Sequence, residues 1–270
     1  MEEFTQYIWL VPVGLLLGLF GTLVGAGGGF LLVPLLLLVY PQDAPEIITS
    51  ISLAVVGINA TAGSISYARM RRIDYRAGVL FAVAAIPGAV LGAITTSVVP
   101  HQLFHLVLGL VIVLVGLNLV YRPGAPRGQA IANHCPPHPD TNRAPCRRNE
   151  FNRSLGFWLS AGVGYLSSLL GIGGGIIHVP ALVRFLHFPV HTATATSHFV
   201  LAIMASSATV THIVSGAFHH GSRRAIMLGL GAIVGAPMGA GLSRRLHGTW
   251  IIRALGGALL LAGSRLLIWP

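Results

Sequence analysis

Apolar residues run along this chain in eight long stretches separated by short polar or basic intervals. They lie near Tyr7–Tyr40, Glu46–Tyr67, Ala77–Val99 and His101–Tyr121, then, after a longer polar interval, Ser154–His187, Ala193–Ser215, Ala225–Leu246 and Thr249–Trp269. A hydrocarbon core of roughly 30 Å is crossed by about 20 apolar residues in a helix, so each stretch is long enough to span a bilayer. The first and fifth are too long for one plain helix, and each is interrupted by a cluster of glycines. Composition points the same way: 54% of residues are hydrophobic and only 9% charged, against roughly a quarter charged in a soluble domain. The pattern predicts an all-α integral membrane protein.

A net charge of +10 would suggest nucleic acid in a soluble chain. Here the arginines sit between apolar runs, as in Arg69-Met70-Arg71-Arg72 and Arg223-Arg224, with no aromatic interleaving. Basic loops of that kind face the cytoplasm, and nucleic acid is not expected as a partner. The acidic start, Met1-Glu2-Glu3, lacks the positive n-region of a cleaved signal peptide. If every long run makes one net crossing, there are about eight crossings. Arg69–Arg76, Arg122–Arg153 and Ser222–Arg224 then lie inside with both termini, and Gln42–Glu46 lies outside. Arg244, Arg245 and His247 would also fall outside, against the rule. If the interrupted runs crossed twice instead, the halves would be inverted.

An internal duplication organises the chain. Gly21-Thr-Leu-Val-Gly25-Ala-Gly27-Gly28-Gly29-Phe-Leu-Leu-Val-Pro34 recurs as Ser167-Ser-Leu-Leu-Gly171-Ile-Gly173-Gly174-Gly175-Ile-Ile-His-Val-Pro180. Ser50 pairs with Ser197, Asn59 with Ser206, Gly109 with Gly256 and Gly116 with Gly263 at almost the same offset. Three segments are expected: 1–121 as a first transmembrane repeat, 122–153 as a flexible cytoplasmic linker, and 154–270 as a second repeat. Four crossings per half would make the repeat parallel, one of the arrangements transporters use. The linker is rich in Pro, Arg and His and carries both cysteines, Cys135 and Cys146. With His134 and His138 their spacing matches no standard zinc knuckle, so no metal or other cofactor is expected, and cytoplasmic thiols should stay reduced.

Three consecutive glycines let the backbone leave helical geometry. Pro34 and Pro180 fit the first turn of a restarting helix, so each long run reads as two half-helices joined near mid-membrane. Irregular backbone at that depth must be packed in protein or line a cavity, and the N-terminus of the second half-helix suits an anion. Gly25, Gly27, Gly28 and Gly29, with Gly171, Gly173, Gly174 and Gly175, are therefore candidate substrate-binding positions. Gly88, Gly92, Gly235 and Gly239 read instead as packing glycines. All seven acids (Glu2, Glu3, Asp43, Glu46, Asp74, Asp140, Glu150) fall at a terminus, in loops or in the linker. No carboxylate lies mid-membrane to hold a cation.

The sixth run supplies polar lining. On a helix His198, Ala202, Ala205, Thr209 and His212 share a face, flanked by Ser197, Ser206 and Ser207. The matching run of the first half offers Ser50, Ser52, Asn59 and Ser66, with Asn59 at the place of Ser206. Asn59, Ser197, His198 and Ser206 join the candidate site as uncharged or titratable partners for an anion. His198 and His212 are candidate proton carriers or, alternatively, neutral hydrogen-bonded core histidines. His178 has Leu32 as its repeat partner, which excludes a duplicated role, and Arg184, Arg253 and Arg265 are expected to snorkel to the interface.

Two halves of about four helices, each opening with GxGGG-x4-P and joined by a variable linker, resemble the TauE/SafE family of sulfite exporters and sulfonate-uptake permeases. The resemblance rests on Gly25, Gly27–Gly29 and Pro34, and on Gly171, Gly173–Gly175 and Pro180. It implies a secondary transporter of small, sulfur-containing or organic anions in the cytoplasmic (inner) membrane, and not an enzyme. Export is the favoured direction, since each negative charge leaving gains roughly 2.3 kcal/mol per 100 mV of inside-negative potential. Proton coupling and a homodimer stay open. The alternatives are a passive anion channel and, more remotely, an intramembrane enzyme using Ser206 or Ser207 with His198 or His212.

Overall fold

The computed structural model describes residues 6–121, 153–186, 188–243, 260 and 263–265. The linker and most of the last apolar run lie outside the described residues. Helices α1 (Leu10–Val24), α2 (Gly29–Val39), α3 (Pro45–Arg69), α4 (Tyr75–Thr96) and α5 (His101–Tyr121) form the first half. Helices α6 (Arg153–Leu170), α7 (Gly175–Phe185), α8 (Val190–Val214) and α9 (Ser222–Leu242) belong to the second, with a short 3-10 turn, Ala217–His220, before α9. Among the described residues every regular element is helical, and α3, α4, α8 and α9 are long and apolar enough to cross a membrane. The expected breaks fall where the glycines are, between Val24 and Gly29 and between Leu170 and Gly175.

One expectation about the restart is corrected. The second half-helices begin at Gly29 and Gly175, so Pro34 and Pro180 lie inside α2 and α7 rather than in their first turns. The Gly28 carbonyl already accepts from Leu31 and Leu32, and the Gly174 carbonyl from Ile177 and His178, which winds the first turn before the proline arrives.

Small residues set the helix packing. A Cβ added at Gly231, Gly235 or Gly239 of α9 would strike the backbone of Val11, Leu15 or Leu19 on α1, in that order along both helices. Gly88 and Gly92 of α4 meet the backbone at Ala161 and Tyr165 on α6 in the same way. These glycines therefore serve close backbone approach, as the sequence suggested for four of them. Both helix pairs run parallel.

The two central helices run antiparallel. Glu46, at the start of α3, accepts from the Ser215 hydroxyl just past the end of α8 (3.4 Å), while the Asp74 N–H, just past α3, donates to Thr196 near the start of α8 (3.1 Å). Gly221 and Gly229 of α9 abut Ile51 and Ile58 of α3 in register, so α9 runs with α3. Helices α1, α3 and α9 thus share one sense and α4, α6 and α8 the other. Helices α1, α3 and α4 are thus each opposed to their repeat partners α6, α8 and α9.

This corrects the expectation of a parallel repeat with eight net crossings. That arrangement puts the loop Gln42–Glu46 and the loop Ser222–Arg224 on opposite sides. In the structure Arg224 pairs with Asp43 and stacks over the Tyr40 ring, 4.3 Å from its centroid. Both ends of each broken run also share one end of the bundle. Arg224 over the Tyr40 ring puts the end of α2 at the start of α9, beside which α1 also begins, and a Cβ on Gly156 would sit 3.4 Å from Leu186. Helices α1 and α2, of 15 and 11 residues, reach only about 22 and 16 Å at 1.5 Å per residue. Each broken run is a hairpin that enters and leaves at the same end, and the two hairpins enter from opposite ends. The apolar count could not distinguish a broken crossing from a hairpin, because both need the same number of buried residues.

Candidate functional site

The tips of the two hairpins meet at the centre of the molecule. Gly25, Gly27 and Gly28 have φ of 82°, 77° and 85°, and Gly171 and Gly173 have φ of 67° and 68°, a region where a side chain is strained. A Cβ on Gly29 would lie 2.7 Å from the Gly171 carbonyl oxygen, and one on Gly175 would strike the carbonyl of Gly25. The contacts are related by the repeat, since Gly29 corresponds to Gly175 and Gly25 to Gly171. The N-termini of α2 and α7, each carrying a partial positive charge, therefore converge on one region. All eight candidate glycines are brought together there.

Two polar networks hold the tips. At the first, Asn59, 1% exposed, donates through Nδ2 to the Gly27 carbonyl (3.1 Å) and accepts at Oδ1 from the Thr22 hydroxyl (3.2 Å). The Tyr67 hydroxyl donates to the Thr22 carbonyl (2.9 Å). His198 approaches Thr22 Oγ1 through Nε2 at 3.4 Å, with Tyr67 edge-on to its ring. Because the single Thr22 proton points at Asn59, the Thr22 oxygen can only accept from the ring, which makes Nε2 the protonated nitrogen. Gly63 leaves room for this ring: a Cβ there would lie 2.7 Å from His198 Cδ2.

At the second tip, Ser167 Oγ accepts from the Gly174 N–H, and the Ser52 hydroxyl donates to the Gly171 carbonyl (2.6 Å). His178 is bonded on both sides, Nε2 to Ser160 (3.0 Å) and Nδ1 to Ser197 (3.3 Å). A small cavity, with room for about one water molecule, opens here, bounded by these three side chains, Gly174 and Gly175.

The candidate residues thus divide. Asn59 and His198 hold the first tip, and Ser197 holds His178 at the second. Ser206 is exposed, its hydroxyl donating to Ala202 on its own helix (2.7 Å), so the repeat pair Asn59 and Ser206 make different bonds. Ser207 likewise donates to Ile203 (3.0 Å). His212 is buried, but 14 residues along α8 from His198, about 21 Å of rise, it belongs to no common site. Arg184 and Arg265 are exposed, whereas Arg253, Cys135 and Cys146 lie outside the described residues. Ser52, offered by the sequence as polar lining of the first half, holds the Gly171 carbonyl. Thr22, Ser160 and Ser167 were not singled out; Thr22 and Ser167 stand inside the repeated segment, which was the available signal, and Ser160 gave none.

A helical bundle with four bilayer-length apolar helices, entered from opposite ends by two broken-helix hairpins whose positive termini converge, has the build of a membrane transporter. The chain belongs to the TauE/SafE family: the family model described as "Sulfite exporter TauE/SafE" matches residues 10–266. It is 28% identical over 269 residues to the "Probable membrane transporter protein YunE" of Bacillus subtilis (strain 168), covering 97% of each chain. It is 33% identical to a "Probable membrane transporter protein" of Xylella fastidiosa (strain 9a5c), over 68% of this chain and 64% of the relative. No solved structure matches.

Proposed function

We propose that this protein is a secondary transporter of small anions, sulfur-containing or organic, in the cytoplasmic membrane, and that the anion binds where the two hairpin tips meet. The observation that carries this reading is the convergence of the α2 and α7 N-termini beside Gly29–Gly171 and Gly175–Gly25. Two partial positive charges face one another there in a low-dielectric setting, without any mid-membrane carboxylate. Asn59 and His198 set the first tip and Ser197 the second, while Ser206 lies on α8 beside Gly57 of α3.

The bundle end carrying Arg69, Arg71, Arg72, Arg76, Arg153 and Arg184 is the cytoplasmic one by the positive-inside rule. Helix α9 ends there, while Arg223 and Arg224 at its start lie at the opposite end, where Arg224 pairs with Asp43. The start of α1, with Asp43 and Glu46, then faces outward. For an anion that moves uncoupled, the membrane potential favours outward movement.

The test is flux of radiolabelled sulfite, thiosulfate and short sulfonates into liposomes holding the purified protein. Saturable, trans-stimulated flux of one of them is expected, together with its loss in Asn59→Ala. Flat traces for every anion would remove the substrate class, and linear, unsaturable flux would make the protein a channel.

A further inference from the structure

His178 differs from the other intramembrane histidines among the described residues in sitting on a cavity with a hydroxyl on each ring nitrogen. It is 3% exposed, and Ser160 and Ser197 are 1% exposed. Each reaches it from a different helix, Ser160 from α6 and Ser197 from α8, while α4 presents Phe81 edge-on to the ring and Ala85 to the cavity. The remaining walls are apolar, among them Val163, Leu201 and Met204. Among the described residues no Asp, Glu, Lys or Arg lines this cavity, and His178 is its one titratable side chain.

The cavity as it stands is water-sized, so an anion enters only as the pocket widens, and there it would be a buried, unpaired charge, which costs several kcal/mol. The α7 N-terminus offsets part of that cost, but a half charge does not neutralise a whole one. A proton on His178 would complete the compensation. The hydrogen bonds also change with it. In neutral imidazole one ring nitrogen donates to one serine and the other accepts from the second serine's O–H. In imidazolium both nitrogens donate, so the second serine no longer gives its proton to the ring, and both O–H groups are free to turn into the cavity.

We propose that the cavity beneath α7 is an oxyanion pocket in which anion binding and protonation of His178 are one coupled event. Ser160 and Ser197 supply the hydroxyl donors that protonation releases. The proton comes from solvent with the arriving anion, resides on the imidazole, and leaves with the anion when the pocket opens. By linkage, each ligand tightens the other by the same factor. One proton per anion makes transit of a monoanion electroneutral, directed by its own gradient and the pH gradient, whereas a dianion still carries one net charge along the potential. Only the second repeat holds this device, since the residue matching His178 is Leu32 and that matching Ser160 is Gly14.

The inference rests on the anion-transport reading, and the experiment separates the two. Purified full-length protein in liposomes is given labelled methanesulfonate, a monoanion that stays unprotonated throughout, under a pH gradient at zero potential and then under a potential at equal pH. Accumulation driven by an acidic outside and indifferent to potential is expected. Saturable flux driven by potential and indifferent to pH would overturn the proton step and leave the transporter standing. Absence of methanesulfonate flux would overturn the pocket, and with the wider anion panel also flat, the transport reading too. His178→Gln should lose pH-driven accumulation, with any exchange it retains no longer varying with pH; accumulation that survives the substitution contradicts the proposal. Ser197→Ala keeps the imidazole but removes one donor. Its half-saturation concentration should rise about tenfold with pH-driven accumulation retained, and an unchanged value would contradict the role of the hydroxyl.

Discussion

Gly63 shows how a single hydrogen in place of a methyl shapes the first hairpin tip. Its absent side chain is what lets the His198 ring reach Thr22, since a Cβ would lie 2.7 Å from the ring and 3.1 Å from Thr22 Cγ2. Gly63→Ala should therefore cost about 1–3 kcal/mol through overpacking, read as a lower thermal midpoint in detergent, with reduced anion exchange. Gly241→Ala meets nothing within 4 Å and should leave both readings unchanged. A Gly63→Ala protein as stable as the parent would mean that His198 moves freely and does not hold the tip. At this scale the sequence was a partial guide. Asn59 was legible because a lone carboxamide in an apolar run must find partners, and it finds Gly27 and Thr22. Ser206 looked equivalent by position but bonds to its own helix, an outlet open to every helical serine, which no linear pattern reveals.

Between elements, the decisive contacts are backbone to backbone. Helices α1 and α9 meet at Gly231, Gly235 and Gly239, and α4 and α6 at Gly88, Gly92 and Gly164. Gly235→Val or Gly88→Val should force the pair apart and remove most of the folded, monodisperse protein. Gly162→Ala, on the open side of α6, should purify normally, and equal yields of all three would contradict the packing. The helices themselves were readable from apolar length, and the breaks from the glycine clusters. Pro34 and Pro180 misled about where the second half-helices start, because Gly28 and Gly174, each one residue before the last glycine of its cluster, already cap a helical turn. His178 was set aside because its repeat partner is a leucine, yet that asymmetry places Ser160 and Ser197 on its ring. A repeat preserves backbone shape while leaving each copy free to specialise.

For the whole molecule, direction was the property hardest to read from sequence. A hairpin and a broken crossing bury the same apolar residues, and only contacts between distant loops distinguish them. Asp43 with Arg224, and Thr196 with Asp74, provide those contacts. They turn a parallel repeat into an inverted one, in which equivalent tips reach a shared centre from opposite faces. The proposed anion site and the two helix N-termini beside it depend on that arrangement. Its most direct measurement is labelling of single cysteines by a membrane-impermeant maleimide in intact cells, with Cys135 and Cys146 replaced by serine. The exposed positions Gln42, His220 and Arg71 are each substituted by cysteine in turn. The inverted arrangement expects Gln42→Cys and His220→Cys to label together from outside, and Arg71→Cys only after the membrane is permeabilised. Labelling of Gln42→Cys and His220→Cys from opposite sides would contradict it.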